Sequence, residues 1–268
     1  MIIIEIKKGL GNQLFQYAAG KSLAAFHRVP LKLDLSSFYR DKSRPYSLSF
    51  FEVEQFDTSL PVPSSQHYNF YHEPFAHFDE GFFKCPPYSY LSGFWQSEKY
   101  FAGIADVLRK EFRVKDQYVS HLTVKAAEIR NEESVCLHVR RGDYLQPGYE
   151  FLGVLSLKYY IRALDYLKST LPGYKLYIFS DDIEWVKHTI KFDSPHEFIS
   201  PSIQSSSIED FYLMQQCRHH IIANSSFSWW TAWLSEKSDS QIIICPKIWF
   251  ADRRLSSEDI ASASWIRL

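Results

Sequence analysis

Between residues 134 and 245, short apolar runs alternate with segments of helical length, and this rhythm limits the fold more than any other feature of the chain. Residues 135–139, 174–179, 198–199, 220–223 and 241–245 read as strands. Residues 156–169, a segment through 185–188, 207–217 and a segment ending near 234 read as helices, with Pro172-Gly173 breaking the first of them. Strands that recur at this spacing, with helices between, call for parallel pairing and a sheet covered on both faces.

In such a sheet the loops leaving the carboxyl ends of the strands lie along one edge, which is where open α/β folds collect ligands. Three of these loops carry polar clusters. The first reads His138-Val-Arg-Arg-Gly-Asp-Tyr, where Arg140 and Arg141 offer planar donor forks suited to phosphate oxygens, flanked by His138 and Asp143. The second is Ser180-Asp181-Asp182. The third runs through Asn224, Ser225, Ser226, Phe227 and Ser228 into a helix, so free amides, hydroxyls and the positive dipole end converge there. Plain alternatives exist for each: an exposed Arg–Asp pair can be idle, and Ser and Asp are the preferred helix caps. The Arg-Gly-Asp tripeptide is read as chance. Together the loops describe a nucleoside diphosphate site with a carboxylate free to accept from the N1–H and exocyclic amine of guanine. The Asp181–Asp182 pair could instead hold Mg²⁺. The metal-free arrangement is preferred, because two arginines already neutralise a diphosphate.

The first half opens with the β-branched run at residues 2–6, then Gly9-Leu-Gly-Asn-Gln and an apolar helical segment over about 12–26. This strand–glycine turn–helix unit is half of a dinucleotide fingerprint, but Leu14 stands where the third glycine belongs, and Asp34 alone could close a second strand. Nicotinamide cofactor binding is therefore disfavoured. Gly9 and Gly11 allow close backbone approach, and Asn12 and Gln13 present amides suited to sugar hydroxyls or phosphate oxygens, although Asn12 as a mere helix cap fits equally. Residues 36–87 are rich in aromatics, Pro, Ser and His, and read as short strands and long loops packed mainly by core rings. His67, His72 and His77 share no helix or strand face, so no metal site is expected there. A strand near 90 turns into a helix near Ser97, with Ile104, Leu108 and Phe112 on one stripe. The domain boundary is expected between residues 115 and 133.

Composition removes several classes of partner. The 268 residues carry 30 basic and 31 acidic side chains, a formal net charge of -1, so nucleic acid is excluded as a bulk ligand and any anion site must be local. Cys85, Cys136, Cys217 and Cys245 show no metal-ligand spacing and read as reduced core thiols of a cytosolic protein. No secretory signal is read at Met1-Ile-Ile-Ile-Glu, and no apolar run reaches the roughly 20 residues of a bilayer span. Peripheral membrane contact stays open, and the Asn224-Ser-Ser sequon is treated as accidental.

Four motifs, Gly9-Leu-Gly-Asn-Gln-Leu-Phe-Gln-Tyr, His138-Val-Arg-Arg-Gly-Asp-Tyr, Phe179-Ser-Asp-Asp-Ile-Glu-Trp-Val and Ile222-Ala-Asn-Ser-Ser-Phe-Ser-Trp-Trp, resemble the α-1,2-fucosyltransferases of glycosyltransferase family 11 in order and spacing, from residue 1 to about Phe250. The resemblance implies an α/β GT-B fold, two Rossmann-like domains facing each other across a cleft. Residues 1–120 would form the N-terminal acceptor-side domain and 121–268 the C-terminal GDP-fucose-binding domain. It implies transfer of L-fucose from GDP-β-L-fucose to the 2-hydroxyl of a terminal β-galactoside, with inversion and no metal or other cofactor. Arg140 and Arg141 would hold the diphosphate, with His138 and Asp181 or Asp182 near the guanine. Ser226, Phe227 and Ser228 would complete the phosphate cradle. Gly11, Asn12 and Gln13 would face fucose and acceptor. Arg140 would stabilise charge growing on the β-phosphate. Asp143 is the first candidate for the base, Glu150 the second, and a base is dispensable if leaving-group departure runs ahead of attack. Two competing classes are a non-catalytic nucleotide-sugar or glycan binder and a Rossmann oxidoreductase resting on Gly9 and Gly11. The expected setting is the bacterial cytoplasm, including the inner membrane face, in polysaccharide assembly.

Overall fold

Ile2, Ile3 and Ile4 are all buried, so the strand they form, β1 (Ile2–Glu5), is covered on both faces as a central parallel strand must be. The computed structural model describes residues 1–54, 68–74, 76–200, 207–235 and 240–268. The chain divides into two compact units, one comprising Met1–Arg113 with Leu255–Ser262, the other Val114–Arg254 with Ala263–Leu268.

In the first unit, β1 is followed by α1 (Leu10–His27), β2 (Leu31–Asp34), the single turn α2 (Ser37–Arg40), β3 (Asn69–His72), β4 (Ser89–Ser92) and α3 (Ala105–Glu111). The four strands pair in the order β2-β1-β4-β3, every pair parallel. The chain leaves β1 toward β2 on one side and returns to β4 on the other, so the switch point lies between β1 and β4. Gly20 lets α1 press on the sheet: a Cβ there would come within 2.8 Å of Ile4 Cγ2 and 3.0 Å of Leu31 Cδ1. Two expectations change. Extended Gly9 caps α1, and Asn12 N and Gln13 N both bond Gly9 O, so Asn12 sits inside the first turn rather than capping it. Residues 98–104 form two 3₁₀ turns before the regular helix begins at Ala105, although Leu108 and Phe112 are buried as the stripe required. Within the aromatic segment, Phe82, Trp95 and Tyr100 are fully buried with ring centroids 4.8–5.3 Å apart, whereas Phe70, Tyr88 and Phe94 remain exposed. Of the histidine trio, His67 lies outside the described residues.

The second unit opens with α4 (Asp116–Val119) and α5 (Thr123–Asn131). There follow β5 (Ser134–Val139), α6 (Leu157–Thr170), β6 (Lys175–Ser180), α7 (Ile183–Thr189), β7 (His196–Phe198), α8 (Ser207–Met214), β8 (His219–Ile221), α9 (Ser226–Ser235), β9 (Ile243–Cys245) and β10 (Ile266–Arg267). The sheet order is β10-β9-β8-β5-β6-β7, again parallel throughout. Period two decides which layer each strand residue enters. Val135, Leu137 and Val139 pack with Tyr160, Ala163 and Leu167 of α6 on one face. Cys136, Tyr177 and Phe179 pack with Ala126, Ile129, Leu213 and Met214 of α5 and α8 on the other. Most strand positions are thereby buried, which is why the runs read as apolar rather than alternating. The two-residue β10 was invisible in the sequence, being too short to show a period; it is held by Leu268 N to Cys245 O.

All four cysteines are free and buried. Among the described residues no helix is long and apolar enough to cross a membrane.

Candidate active site

The second sheet turns back on itself between β5 and β8, because β5 leads outward through β6 to β7 while β8, β9 and β10 occupy its other side. Ligands of open α/β sheets sit at the carboxyl end of such a switch point. The three polar loops leave β5 and its two neighbours there, β6 at register Val139↔Ser180 and β8 at Leu137↔Ile221.

The β5 loop is held in shape by carboxylates. Arg140 Nη2 lies 2.7 Å from Asp143 Oδ1 and its Nε 3.1 Å from Asp181 Oδ2, with the guanidinium 5.7 Å from the Tyr144 ring. Arg141 Nε donates to Asp182 Oδ2 at 3.0 Å, its backbone N–H donates to Asp181 Oδ1 at 2.9 Å, and its guanidinium lies 3.9 Å from the Trp185 ring centre. Gly142 is required where it stands: a Cβ would meet Asp181 Oδ2 at 2.7 Å. Two guanidiniums thus face three carboxylates, and an arriving anion must compete with them.

Asp182 also caps α7 by accepting from Trp185 N, and Ser180 Oγ accepts from Asp182 N at 2.9 Å. The capping alternative is therefore realised, but the same carboxylates also aim the arginines. Asp181 has both oxygens engaged by the β5 loop, which leaves it less free to accept from a base edge.

His138 points to the α8 side, its ring 6.0 Å from that of Phe227, which in turn packs on Phe211 at 5.2 Å. Its Nδ1 is buried without a hydrogen-bond partner among the described residues. Burial, and then the nearby Arg140 charge, push its pKa down to about 3, so the imidazole is neutral at physiological pH.

Asn224 is a latch. Its side chain is buried, and Nδ2 donates at 3.0 Å to the carbonyls of Leu152, Gly153 and Trp249, while its own carbonyl accepts from Tyr144 Oη at 2.8 Å. This ties the β5 and β8 loops together, while Asn224 Oδ1 is buried with no hydrogen-bond partner among the described residues. Ser225 and Ser228 are buried too, Ser228 Oγ donating back to Ser225 O at 3.3 Å. Ser225 O receives Trp229 N, so the amides of Ser226, Phe227 and Ser228 form the open first turn of α9. Ser226 and Phe227 are partly exposed there.

Asn12, Gln13 and Gly11 belong to the first unit, and only Asn12 keeps exposed surface. Gln13 is fully buried: Nε2 donates to Lys8 O at 2.7 Å and Pro45 O at 2.9 Å, and Oε1 accepts from Ser47 N at 2.8 Å. The expected substrate-facing role of Gln13 gives way to bracing the loops around the start of α1. Gly11 is buried within α1, and Asn12 Oδ1 accepts from Gln96 Nε2 at 2.7 Å. Glu150, the second base candidate, is exposed and accepts from Gly148 N, its pKa held low by backbone amides of its own loop. Tyr144 and Trp185 were missed as supports of the arginines; both lie inside the quoted motifs, and the signal was an aromatic near each guanidinium. Among the described residues no group of three or more His, Cys, Asp or Glu side chains is arranged to hold a metal ion.

Fold and site together define a doubly wound α/β protein with a carboxylate-held arginine pair beside an open helix first turn at the switch point of its second sheet. The family model described as Glycosyl transferase family 11 matches residues 1–268, and the chain belongs to that glycosyltransferase family. It is 33% identical over 299 aligned residues to an alpha-1,2-colitosyltransferase of Escherichia coli, covering 100% of this chain and 99% of that protein. To a galactoside 2-alpha-L-fucosyltransferase of Caenorhabditis elegans it is 28% identical over 266 residues, covering 90% and 70%. Among solved structures, the Bradyrhizobium NodZ alpha-1,6-fucosyltransferase soaked with GDP-fucose matches with a TM-score of 0.54 at 15% identity, over 87% of this chain and 92% of that one, a likeness of fold.

Proposed function

We propose that this family 11 enzyme transfers L-fucose from GDP-β-L-fucose to the 2-hydroxyl of a terminal β-galactoside, inverting the anomeric centre to form an α-1,2 linkage. The observation that carries the reading is the convergence of Arg140, Arg141 and the open first turn of α9 at one switch point. Departure of GDP puts negative charge on the β-phosphate and positive charge on the sugar ring. Guanidiniums already aimed by Asp143, Asp181 and Asp182, together with helix amides, stabilise that charge without reorganising at the moment of reaction. The reaction then needs no metal, because two arginines and a helix dipole supply the positive potential. The neutral, buried imidazole of His138 sits beside Phe227 on the side assigned to the nucleoside.

Asp143 is held at 2.7 Å by Arg140. We read it first as the residue that aims Arg140. It serves as proton acceptor only if diphosphate binding draws the guanidinium away.

A second donor is favoured by the 33% identity to a colitosyltransferase, since colitose is a fucose lacking its 3-hydroxyl. The experiment is a donor competition: purified protein with GDP-fucose or GDP-colitose, a β1,3- or β1,4-linked galactoside and EDTA, reading GDP release and the product linkage by NMR. An α-1,2-fucosylated product with a higher kcat/KM for GDP-fucose establishes the reading. A preference for GDP-colitose reassigns the donor, and GDP binding without turnover would make the protein a nucleotide-sugar binder.

A further inference from the structure

The first unit has its own switch point between β1 and β4, and the loops that leave those two strands carry chemistry the donor cradle does not use. Glu5, closing β1, accepts from Lys7 Nζ at 2.6 Å and from Ser92 Oγ, closing β4, at 2.7 Å. The Phe94 ring, 39% exposed, lies beside them with Lys7 Nζ 5.7 Å from its centre. An exposed ring next to a polar cluster can be accidental, so the backbone decides.

Both loops are pinned. The buried carboxamide of Gln16 bridges them, accepting from Lys7 N at 2.9 Å and donating to Gly93 O at 3.2 Å. The half-buried Glu73 accepts from Phe94 N at 2.6 Å and Trp95 N at 2.9 Å. Gly93 has no alternative, because a Cβ would fall 2.4 Å from Glu73 Cβ. Lys8 and Trp95 adopt left-handed conformations, φ 68° and 56°, so two of the three non-glycine residues with positive φ among the described residues flank this one edge. Strain retained on both sides of a fixed, exposed ring marks a built surface.

We propose that Phe94 with Glu5, Lys7 and Ser92 forms a sugar subsite on the first unit that takes the terminal β-galactose of the acceptor. Galactose has a continuous C–H face at C3 to C5, which stacks on an aromatic ring, while the carboxylate, ammonium and hydroxyl beside it match its hydroxyl groups. Calling this sugar the acceptor rests on the transferase reading above.

The test separates the two. Saturation-transfer NMR with lactose and saturating GDP, which needs no turnover, should show transfer to galactose C–H protons in the native enzyme and at least a fivefold loss in Phe94→Ala, with Phe94→Tyr restoring it. In turnover assays Phe94→Ala should raise the acceptor KM about tenfold, leaving the KM for the nucleotide donor unchanged. Lactose transfer that persists in Phe94→Ala, or is absent from the native enzyme, overturns the subsite whatever the donor proves to be. Normal binding effects without turnover would fault the transferase reading and leave the subsite standing.

Discussion

The two sheets obey one topological rule and present different chemistry at the place it designates. Each is parallel, and each reverses direction beside its first strand, between β1 and β4 in one unit and between β5 and β8 in the other. At the second switch point charged side chains hold one another: Arg140 and Arg141 are aimed by Asp143, Asp181 and Asp182. At the first, neutral carboxamides of Gln13 and Gln16 brace the backbone and leave one ring exposed beside a half-buried Glu–Lys–Ser cluster. In open α/β sheets topology sets the edge where ligands gather, and the loop residues set the chemistry offered there.

The sharpest way to break this contrast is Arg140→Ala. If the second switch point is electrostatic, kcat should fall about 10³-fold, the scale of losing one preorganised transition-state donor, with the acceptor KM little changed. Retention of more than a tenth of native kcat would contradict an electrostatic role.

Asn224→Ala should act on stability instead, since it leaves three loop carbonyls without their donor. A loss of about 3 kcal/mol in denaturant unfolding is expected. Unchanged stability with weaker GDP binding would assign Asn224 to direct ligand contact.

His138 gives a pH dependence. Its folded pKa, about 3, lies below the ordinary histidine value, so the unfolded chain binds the extra proton first. Its stabilising contribution is present above about pH 6.5 and is lost as pH falls toward 3, amounting to about 2 kcal/mol between pH 7 and 5. A His138→Gln variant should lose that much less over the same interval in paired urea titrations; parallel curves would show that the ring is not held neutral.

The smallest effect is expected from Asp143→Asn. As a residue that aims Arg140 it should lower kcat about tenfold, roughly 1.4 kcal/mol, and leave the shape of the pH–rate profile intact. Disappearance of the acidic limb would make Asp143 the proton acceptor.

Local pattern made much of this legible. The period of the apolar runs placed β5 and β6 within a residue of their observed bounds, and residues quoted for the three loops do meet along adjacent strands. What pattern could not show was how each polar side chain is used. Gln13 looked like a sugar ligand and is wholly engaged by backbone. Asn224, quoted only as part of the third polar loop, also latches that loop to carbonyls 71 and 72 residues away in sequence.

By itself, the sequence determined the parallel α/β architecture, the edge on which the charged loops gather and the family to which the chain belongs, because hydrophobic period and short motifs are local properties. Tertiary structure alone decided which side chains remain free for a ligand. A donor or acceptor group is available only after every buried backbone partner has been satisfied, and those partners arrive from distant parts of the chain.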